Sequence, residues 1–510
     1  MLSKITSCAL FGLNGHKIDV EIDISNGLPS FDIVGLPDSA VKESKERVKT
    51  AIKNSGITFP IKRITINLAP AHIKKEGPSF DLPIAIGILA CSEIIKYEDI
   101  KNFMFIGELS LDGSIKPING ILPIVSYMSK IKIKNFIIPY ENRNEASFIK
   151  EANIYPLKNI NEIIEFFKNI NINIKKPYIN ELEYSYCNKK SEIDFSDIKG
   201  QENVKKALEI AAAGYHNILI VGPPGTGKTM MAKRLITIMP PLTFNESIDI
   251  TKIYSISGLL SDKNTLIKER PFRSPHHTIS PTALVGGGRN LRPGEVSLAT
   301  GGILFLDELP EFQRTSLEVL RQPIEDKKVT ISRAIGTLTY PADFMLVASM
   351  NPCPCGYYGY EEKCNCKINE IIKYNNKISG PLLDRIDIQV DASPINYDDL
   401  DTNIKCENSE TIRERIIKSH QIQKERFKNE NILFNSQMNI NQIEKYCKLG
   451  NKEKEIIKKA FNNLNLSVRG YHKILKLSRT IADIDNSYDI KVKHIAQAIQ
   501  YRNFDRNYNK

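Results

Sequence analysis

The sequence predicts an α/β fold in three regions: α+β structure over 1–175, a parallel sheet flanked by helices over 198–393, and helices alone over 394–510. Three observations predict it. Strand, loop and helix patterns alternate from Ile198 to about Ser393, as expected of parallel strands joined by crossover helices. Short strand-like runs mix with helical ones before residue 175. From about Asn396 strand signals fade and a 3.6-residue periodicity takes over. The polar stretch 176–197 reads as a linker, or as a surface excursion of one larger fold. At 510 residues, two to four domains are expected.

In the first region Ser39 to Asn54 is an amphipathic helix, with Asp38 as N-cap and Gly56 just past its end. Strand-like runs follow at Ile64–Leu68, Phe103–Gly107 and Asn135–Pro139. The apolar stretch from Leu82 to Ile95 contains Ser92 and Glu93 and is too short to span a bilayer, so it reads as a buried helix. In the last region helices are expected at Thr411–Phe427, Asn439–Leu449, Lys452–Leu464, Arg469–Asp485 and Lys491–Arg502.

Composition narrows the function classes. With 41% apolar and 25% charged residues and no excess of Gly or Pro, the chain is globular rather than disordered. Met1 to Thr6 runs into polar-punctuated sequence instead of an apolar signal core, so a cytoplasmic chain with no membrane partner is expected. Nine cysteines suit reduced thiols or metal ligands better than disulfides. The net charge of +11 suits a nucleic-acid partner, although Lys is frequent throughout. The tail is more telling: residues 441–510 carry 11 Lys and 4 Arg against 3 Glu and 4 Asp.

Gly222-Pro223-Pro224-Gly225-Thr226-Gly227-Lys228-Thr229 follows the apolar run Asn217–Val221 and is a complete phosphate-binding loop. Its glycines let backbone N–H groups turn toward phosphate oxygens, and the next helix adds its positive end. Lys228 would reach the β- and γ-phosphates, and the Thr229 hydroxyl would ligate Mg²⁺. Gly302 to Glu308 is a buried strand delivering two carboxylates, Asp307 to hold the metal through its water shell and Glu308 to activate the attacking water. A further strand, Met345 to Asn351, ends in an amide that could hold that water, contact the γ-phosphate, or merely cap the turn before Pro352. In Ser379–Asp387, Arg385 could pair with Asp384 or Asp387, or in a ring reach a neighbour's γ-phosphate.

Taken in order, these motifs resemble the AAA+ ATPases and, over essentially the whole chain, the magnesium-chelatase-like ComM/YifB family. The resemblance implies an AAA+ P-loop NTPase sheet followed by a C-terminal helical lid. It implies that Asn351 is sensor 1, that Arg385 is an arginine finger acting in trans, and that Arg469 is sensor 2, with Arg479 on the same expected helix as its competitor. The implied cofactors are ATP and Mg²⁺. The implied assembly is a homo-oligomer, a hexameric ring, whose partner is single-stranded or branched DNA. The implied activity is that of a DNA motor promoting branch migration in natural transformation and recombination. Two insertions also resemble those of chelatase-type rings: Ser255 to Asn290, expected as a loop containing Pro271–His277, and a hairpin at Val329–Thr337. Arg333 of that hairpin could touch a DNA phosphate in the pore or simply be solvated. The His276–His277 pair reads as structural.

Cys353, Cys355, Cys364 and Cys366 form a C-x-C-x8-C-x-C cluster that could enclose a structural zinc or remain free thiols. Four filled positions would leave no open site for catalysis. Cys8, Cys91, Cys187, Cys406 and Cys447 are scattered and read as inert.

Lys75 to Asp81, with Ile106 to Gly120, resembles the Lon-protease-like (ribosomal S5 domain 2-like) fold, in which Ser79 would stand as nucleophile. The family's lysine base follows a glycine pair, here replaced by Asn119-Gly120, and Leu122 stands nearest its place. Without the base a serine is a poor nucleophile, so the fold is expected without the chemistry. Two alternatives stand beside the DNA motor. A chelatase-type motor acting on a protein partner is disfavoured by the amino-terminal domain. A Lon-like peptidase is disfavoured by the missing lysine.

Overall fold

The computed structural model describes residues 2–168, 193–261, 265–288, 291–333, 336–359, 363–394, 406–464 and 466–502. Most of the expected linker, together with Cys187, Asn290, Ala334, Ile335 and residues 396–405, lies outside them. The chain divides into two compact units, Met1–Cys187 with Thr243–Lys268, and Asn188–Leu242 with Glu269–Lys510.

The first unit is built on a seven-stranded mixed sheet in the order Ser30–Val34, Arg63–Ala69, Asn14–Ser25, Leu2–Phe11, Phe103–Phe105, Asn135–Pro139, Asn153–Leu157. Its centre is the antiparallel hairpin of Leu2–Phe11 with Asn14–Ser25. Alternation decides the buried face, as Ile18, Val20, Ile22 and Ile24 point inward while the residues between them are more exposed. The helix Ser39–Asn54 starts as expected, with the Asp38 carboxylate accepting from the Val41 N–H at 2.8 Å. The helix Asp81–Cys91 is buried on every side. Gly87 lets it approach the sheet, since a Cβ there would lie 1.9 Å from Ile22 Cδ1.

The segment Thr243–Lys268 completes this unit. It opens as the helix Phe244–Ser257, capped reciprocally by Thr243 and Glu246. Ser255 is therefore helical, correcting the expectation of a loop from that residue on. The Ser255 hydroxyl donates to Glu145 at 2.5 Å, and the same carboxylate oxygen accepts from the Leu122 N–H at 3.0 Å.

The second unit holds a five-stranded, wholly parallel sheet in the order Phe272–Arg273, Ile303–Leu306, Met345–Met350, Ile218–Val221, Ile388–Asp391. The three middle strands are buried throughout, as their near-continuous apolar runs require. Phe272–Arg273 pairs with Ile303–Leu304 at the edge, so two residues expected in a loop insertion belong to the sheet. A two-residue strand with a single apolar member carries no periodicity to read. The hairpin forms from Lys328–Arg333 and Gly336–Pro341. Helices then follow at Ser409–Arg426, Ile440–Tyr446, Asn451–Leu464, Val468–Ile484 and Val492–Gln500, close to the expected boundaries.

Candidate nucleotide site

Parallel strands share one carboxyl edge, and three neighbours there bring the motifs together. Ile218–Val221 delivers the loop Gly222–Gly227, Ile303–Leu306 delivers Asp307 and Glu308, and Met345–Met350 delivers Asn351. Gly225 and Gly227 take φ of +81° and +80°, open to glycine but strained for other residues. At Gly222 a Cβ would meet the Ala392 carbonyl at 2.3 Å. The helix Lys228–Ile238 begins immediately after the loop, aiming its N-terminus at the same place.

Lys228, Thr229, Asp307, Glu308 and Asn351 line one cleft of about 430 Å³, together with Pro224 and Gly225. A larger cleft of about 550 Å³, beside Phe312, Arg314 and Lys373, contains none of them. The Lys228 ammonium donates to the carbonyls of Gly222 at 2.7 Å and Pro223 at 2.8 Å and to Asn351 Oδ1 at 3.1 Å. Burial lowers its pKa, with Asp307 and Glu308 pulling the other way. Thr226 is buried and closes the loop by donating to the Pro223 carbonyl at 2.9 Å. Thr229 Oγ1 donates to Asp307 Oδ2 at 2.7 Å. Asp307 Oδ1 in turn accepts from the Ser349 hydroxyl and, at 3.2 Å, from the Glu308 N–H. Sequence reasoning passed over Ser349, although one small polar residue inside an apolar strand was the signal. Glu308 itself has φ of +53°, a left-handed conformation that costs energy for a residue other than glycine and that clusters at functional sites.

Arg385 and Arg469 stand outside this cleft. Arg385 pairs with Glu325 at 2.5 Å, and with neither aspartate weighed as its partner. Asp387 instead meets Lys473 at 2.8 Å and His216 at 3.3 Å. Burial opposes its charge, yet those neighbours hold its carboxyl below the usual carboxylate range. Arg469 is exposed and lies 3.9 Å from Glu325. Its competitor Arg479 is buried, bound to Asp483 and to the carbonyls of Tyr488 and Ser487.

The sulfurs of Cys353, Cys355, Cys364 and Cys366 all lie within 4.8 Å of one another. Separations of 3.3, 3.9 and 3.6 Å link the first three. A regular tetrahedron with Zn–S bonds of about 2.3 Å has edges of about 3.8 Å, so the cluster has the dimensions of a zinc site. It also touches the phosphate loop: a Cβ on Gly356 would lie 2.7 Å from Pro224 Cδ. The imidazoles of His276 and His277 lie with centroids 4.0 Å apart, tilted by 35°, and among the described residues no group of three or more His, Cys, Asp or Glu side chains other than the four cysteines is placed to hold a metal. Arg333 is exposed on its hairpin strand.

In the first unit Ser79 sits in the turn Pro78–Phe80, and Leu122 is fully buried. Lys75, four residues before Ser79, is also buried and donates to the Pro70 carbonyl, with burial lowering its pKa. Among the described residues no helix is long and apolar enough to cross a membrane.

Three family models match the chain: Magnesium chelatase, subunit ChlI over 194–400, Subunit ChlI of Mg-chelatase over 20–142, and Magnesium chelatase, subunit ChlI C-terminal over 406–502. Competence protein ComM of Haemophilus influenzae is 43% identical over 98% of this chain and 97% of its own. The YifB protein of Salmonella typhimurium is 39% identical over 99% and 98%. Lon protease 2 of Bacillus subtilis shows a partial likeness, 26% identical over 32% of each chain. With full-length identity of this order, and an α/β architecture built on a parallel sheet, the chain belongs to the magnesium-chelatase-like ATPase family that includes the ComM and YifB proteins.

Proposed function

We propose that this protein is an ATP hydrolase that assembles as a hexameric ring and moves DNA, promoting branch migration in natural transformation and recombination. The observation that carries the reading is the convergence of Lys228, Thr229, Asp307, Glu308 and Asn351 on one cleft at the carboxyl edge of three neighbouring strands. Gly222 to Gly227 cradle the phosphates with backbone N–H groups, and Lys228 exchanges its carbonyl partners for β- and γ-phosphate oxygens. Thr229 and Asp307, already joined at 2.7 Å, are the pair that would hold Mg²⁺, which when bound neutralises charge developing on the phosphates. Glu308 takes the proton of the attacking water, and Asn351 orients that water against the γ-phosphate. Arg385 completes a neighbour's site in trans, and Arg469 serves as sensor 2 on the helical lid of residues 394–510. Cys353, Cys355, Cys364 and Cys366 are the ligands that would hold a structural Zn²⁺, fixing the segment whose Gly356 packs against Pro224 of the phosphate loop.

DNA as the partner is supported by the ComM relative's designation as a competence protein, by the basic tail, and by the exposed hairpin bearing Arg333. The test is a branched-DNA unwinding assay of the wild type beside Lys228→Ala, with ATP turnover followed with and without DNA. Strand displacement that requires Lys228, with turnover stimulated by DNA and steeply salt-sensitive, is the expected result.

A second reading, a chelatase-type motor acting on a protein partner, gains from one observation. Residues 20–142, whose presence argues against it on sequence grounds, match a model described as subunit ChlI of Mg-chelatase. That ground no longer separates the two. Turnover indifferent to every nucleic acid would favour this second reading.

A further inference from the structure

Two arginines with separate expected roles share one carboxylate. Arg385 Nη2 lies 2.5 Å from one Glu325 oxygen, and Arg469 Nη2 lies 3.9 Å from the other. They arrive from different elements, Arg385 just ahead of the strand Ile388–Asp391 and Arg469 in the first turn of the helix Val468–Ile484. One turn along that helix, Lys473 pairs with Asp387 at 2.8 Å, which registers the helix against the segment carrying Arg385.

Like charges this close repel unless an anion stands between them. Glu325, half exposed at the end of the short helix Arg321–Asp326, is that anion. Its hold is specific on Arg385, whose side chain is only 9% exposed. One arm of the guanidinium donates to the Pro381 carbonyl at 2.7 Å and the other to Glu325, while the buried Nε has no hydrogen-bond partner among the described residues. The carbonyl fixes one arm and leaves the plane of the fork free to turn, so the carboxylate sets it. Because neither arginine lines the chain's own nucleotide cleft, the pair is available to phosphates from elsewhere.

We propose that Glu325 is a positioning residue for ATP cleavage, holding Arg385 in the orientation from which it meets a neighbouring subunit's triphosphate, with Arg469 beside it. The proposal rests on the reading of Arg385 as the finger. In this arrangement the carboxylate keeps two cations together until a more highly charged anion, the neighbour's γ-phosphate, competes for them.

The test measures steady-state ATP turnover of full-length Glu325→Gln, Glu325→Asp, Arg385→Ala and the Glu325→Gln/Arg385→Ala double variant. Thermal melting serves as the folding control, and Glu325→Asp carries the test should the Gln variant fail to fold. Glu325→Gln is expected to lower kcat about tenfold with KM for ATP within about twofold, because the residues that bind the chain's own nucleotide are untouched. Glu325→Asp, which keeps the charge on a shorter arm, should fall between the two. The double variant should turn over no more slowly than Arg385→Ala alone, since Glu325 acts through that arginine. Wild-type kcat in Glu325→Gln beside a silenced Arg385→Ala overturns the proposal, as do losses that multiply in the double variant. Wild-type turnover in Arg385→Ala would instead bring down the finger reading beneath it, a distinguishable failure that takes the proposal with it.

Discussion

Thr229 Oγ1 and Asp307 Oδ2 lie 2.7 Å apart, joining the first turn of the helix after the phosphate loop to the end of the neighbouring strand. Two elements more than seventy residues apart in sequence thus present their oxygens to the same point. Removing the hydroxyl while keeping the shape, as in Thr229→Val, should cost metal-dependent binding more than folding. Turnover measured against Mg²⁺ concentration is expected to require about tenfold more metal, a cost of ~1.4 kcal/mol. An unchanged Mg²⁺ dependence would remove Thr229 from the site.

Lys228 is satisfied internally by three acceptors, two carbonyls and the Asn351 amide oxygen. Lys228→Ala strands those acceptors and deletes the charge meant for the phosphates. A fluorescent ATP analogue should then bind at least about a hundredfold more weakly, or ~2.7 kcal/mol. Near-normal affinity would contradict the cleft's assignment.

Glu308 lines the cleft, and among the described residues no hydrogen bond joins its side chain to the phosphate loop, in contrast to Lys228. Glu308→Gln should therefore keep nucleotide affinity while turnover falls by about 10² or more, trapping ATP on the protein. Single-turnover measurements with labelled ATP separate binding from cleavage. Loss of both together would mean that the residue supports the fold of the site instead.

How legible this site was in the sequence follows from what each motif needs. The phosphate loop, the Asp307–Glu308 strand end and Asn351 were readable because buried parallel strands are short unbroken apolar runs, and whatever follows them falls at one edge. The tail helices were readable for the same kind of reason, a sustained period. The first strand of the hairpin Leu2–Phe11 with Asn14–Ser25 was hard to read because Ser and Thr interrupt it, but its second was legible and went unremarked: Ile18 to Ile24 alternates apolar and charged residues, the period of a half-buried strand. Phe272–Arg273 was too short to show any pattern. Glu325 was invisible for a different reason: its meaning depends on Arg385, sixty residues on, and on Arg469, much farther along, and no local spacing encodes such a meeting.

The cysteine cluster yields a prediction about the nucleotide site because Gly356 packs against Pro224. Cys364→Ser, or treatment with a zinc chelator, should loosen that loop. Released zinc, detected with a metallochromic dye, should accompany a KM for ATP raised by about threefold or more, with the parallel sheet intact by circular dichroism. Four thiols titratable in the native protein without any metal would decide for free cysteines.

Acid should weaken the C-terminal helices through His494. This ring is buried at the start of the helix Val492–Gln500; its Nδ1 accepts from the Lys491 N–H at 2.9 Å and its Nε2 faces Asp485 at 3.2 Å. Burial lowers its pKa from the ordinary 6.5, with Asp485 opposing. A histidine whose folded pKa is depressed binds fewer protons folded than unfolded, so its contribution is full above about 6.5 and is lost as pH falls below that value. Protonation also places a hydrogen on Nδ1, where the helix cap needs an acceptor. His494→Gln keeps an acceptor at that position and removes the titration. Between pH 7.5 and 5.5 the wild-type melting temperature should therefore drop further than the variant's, by about 2 °C or more. Equal pH slopes in the two proteins would show that the acid sensitivity of this bundle resides elsewhere.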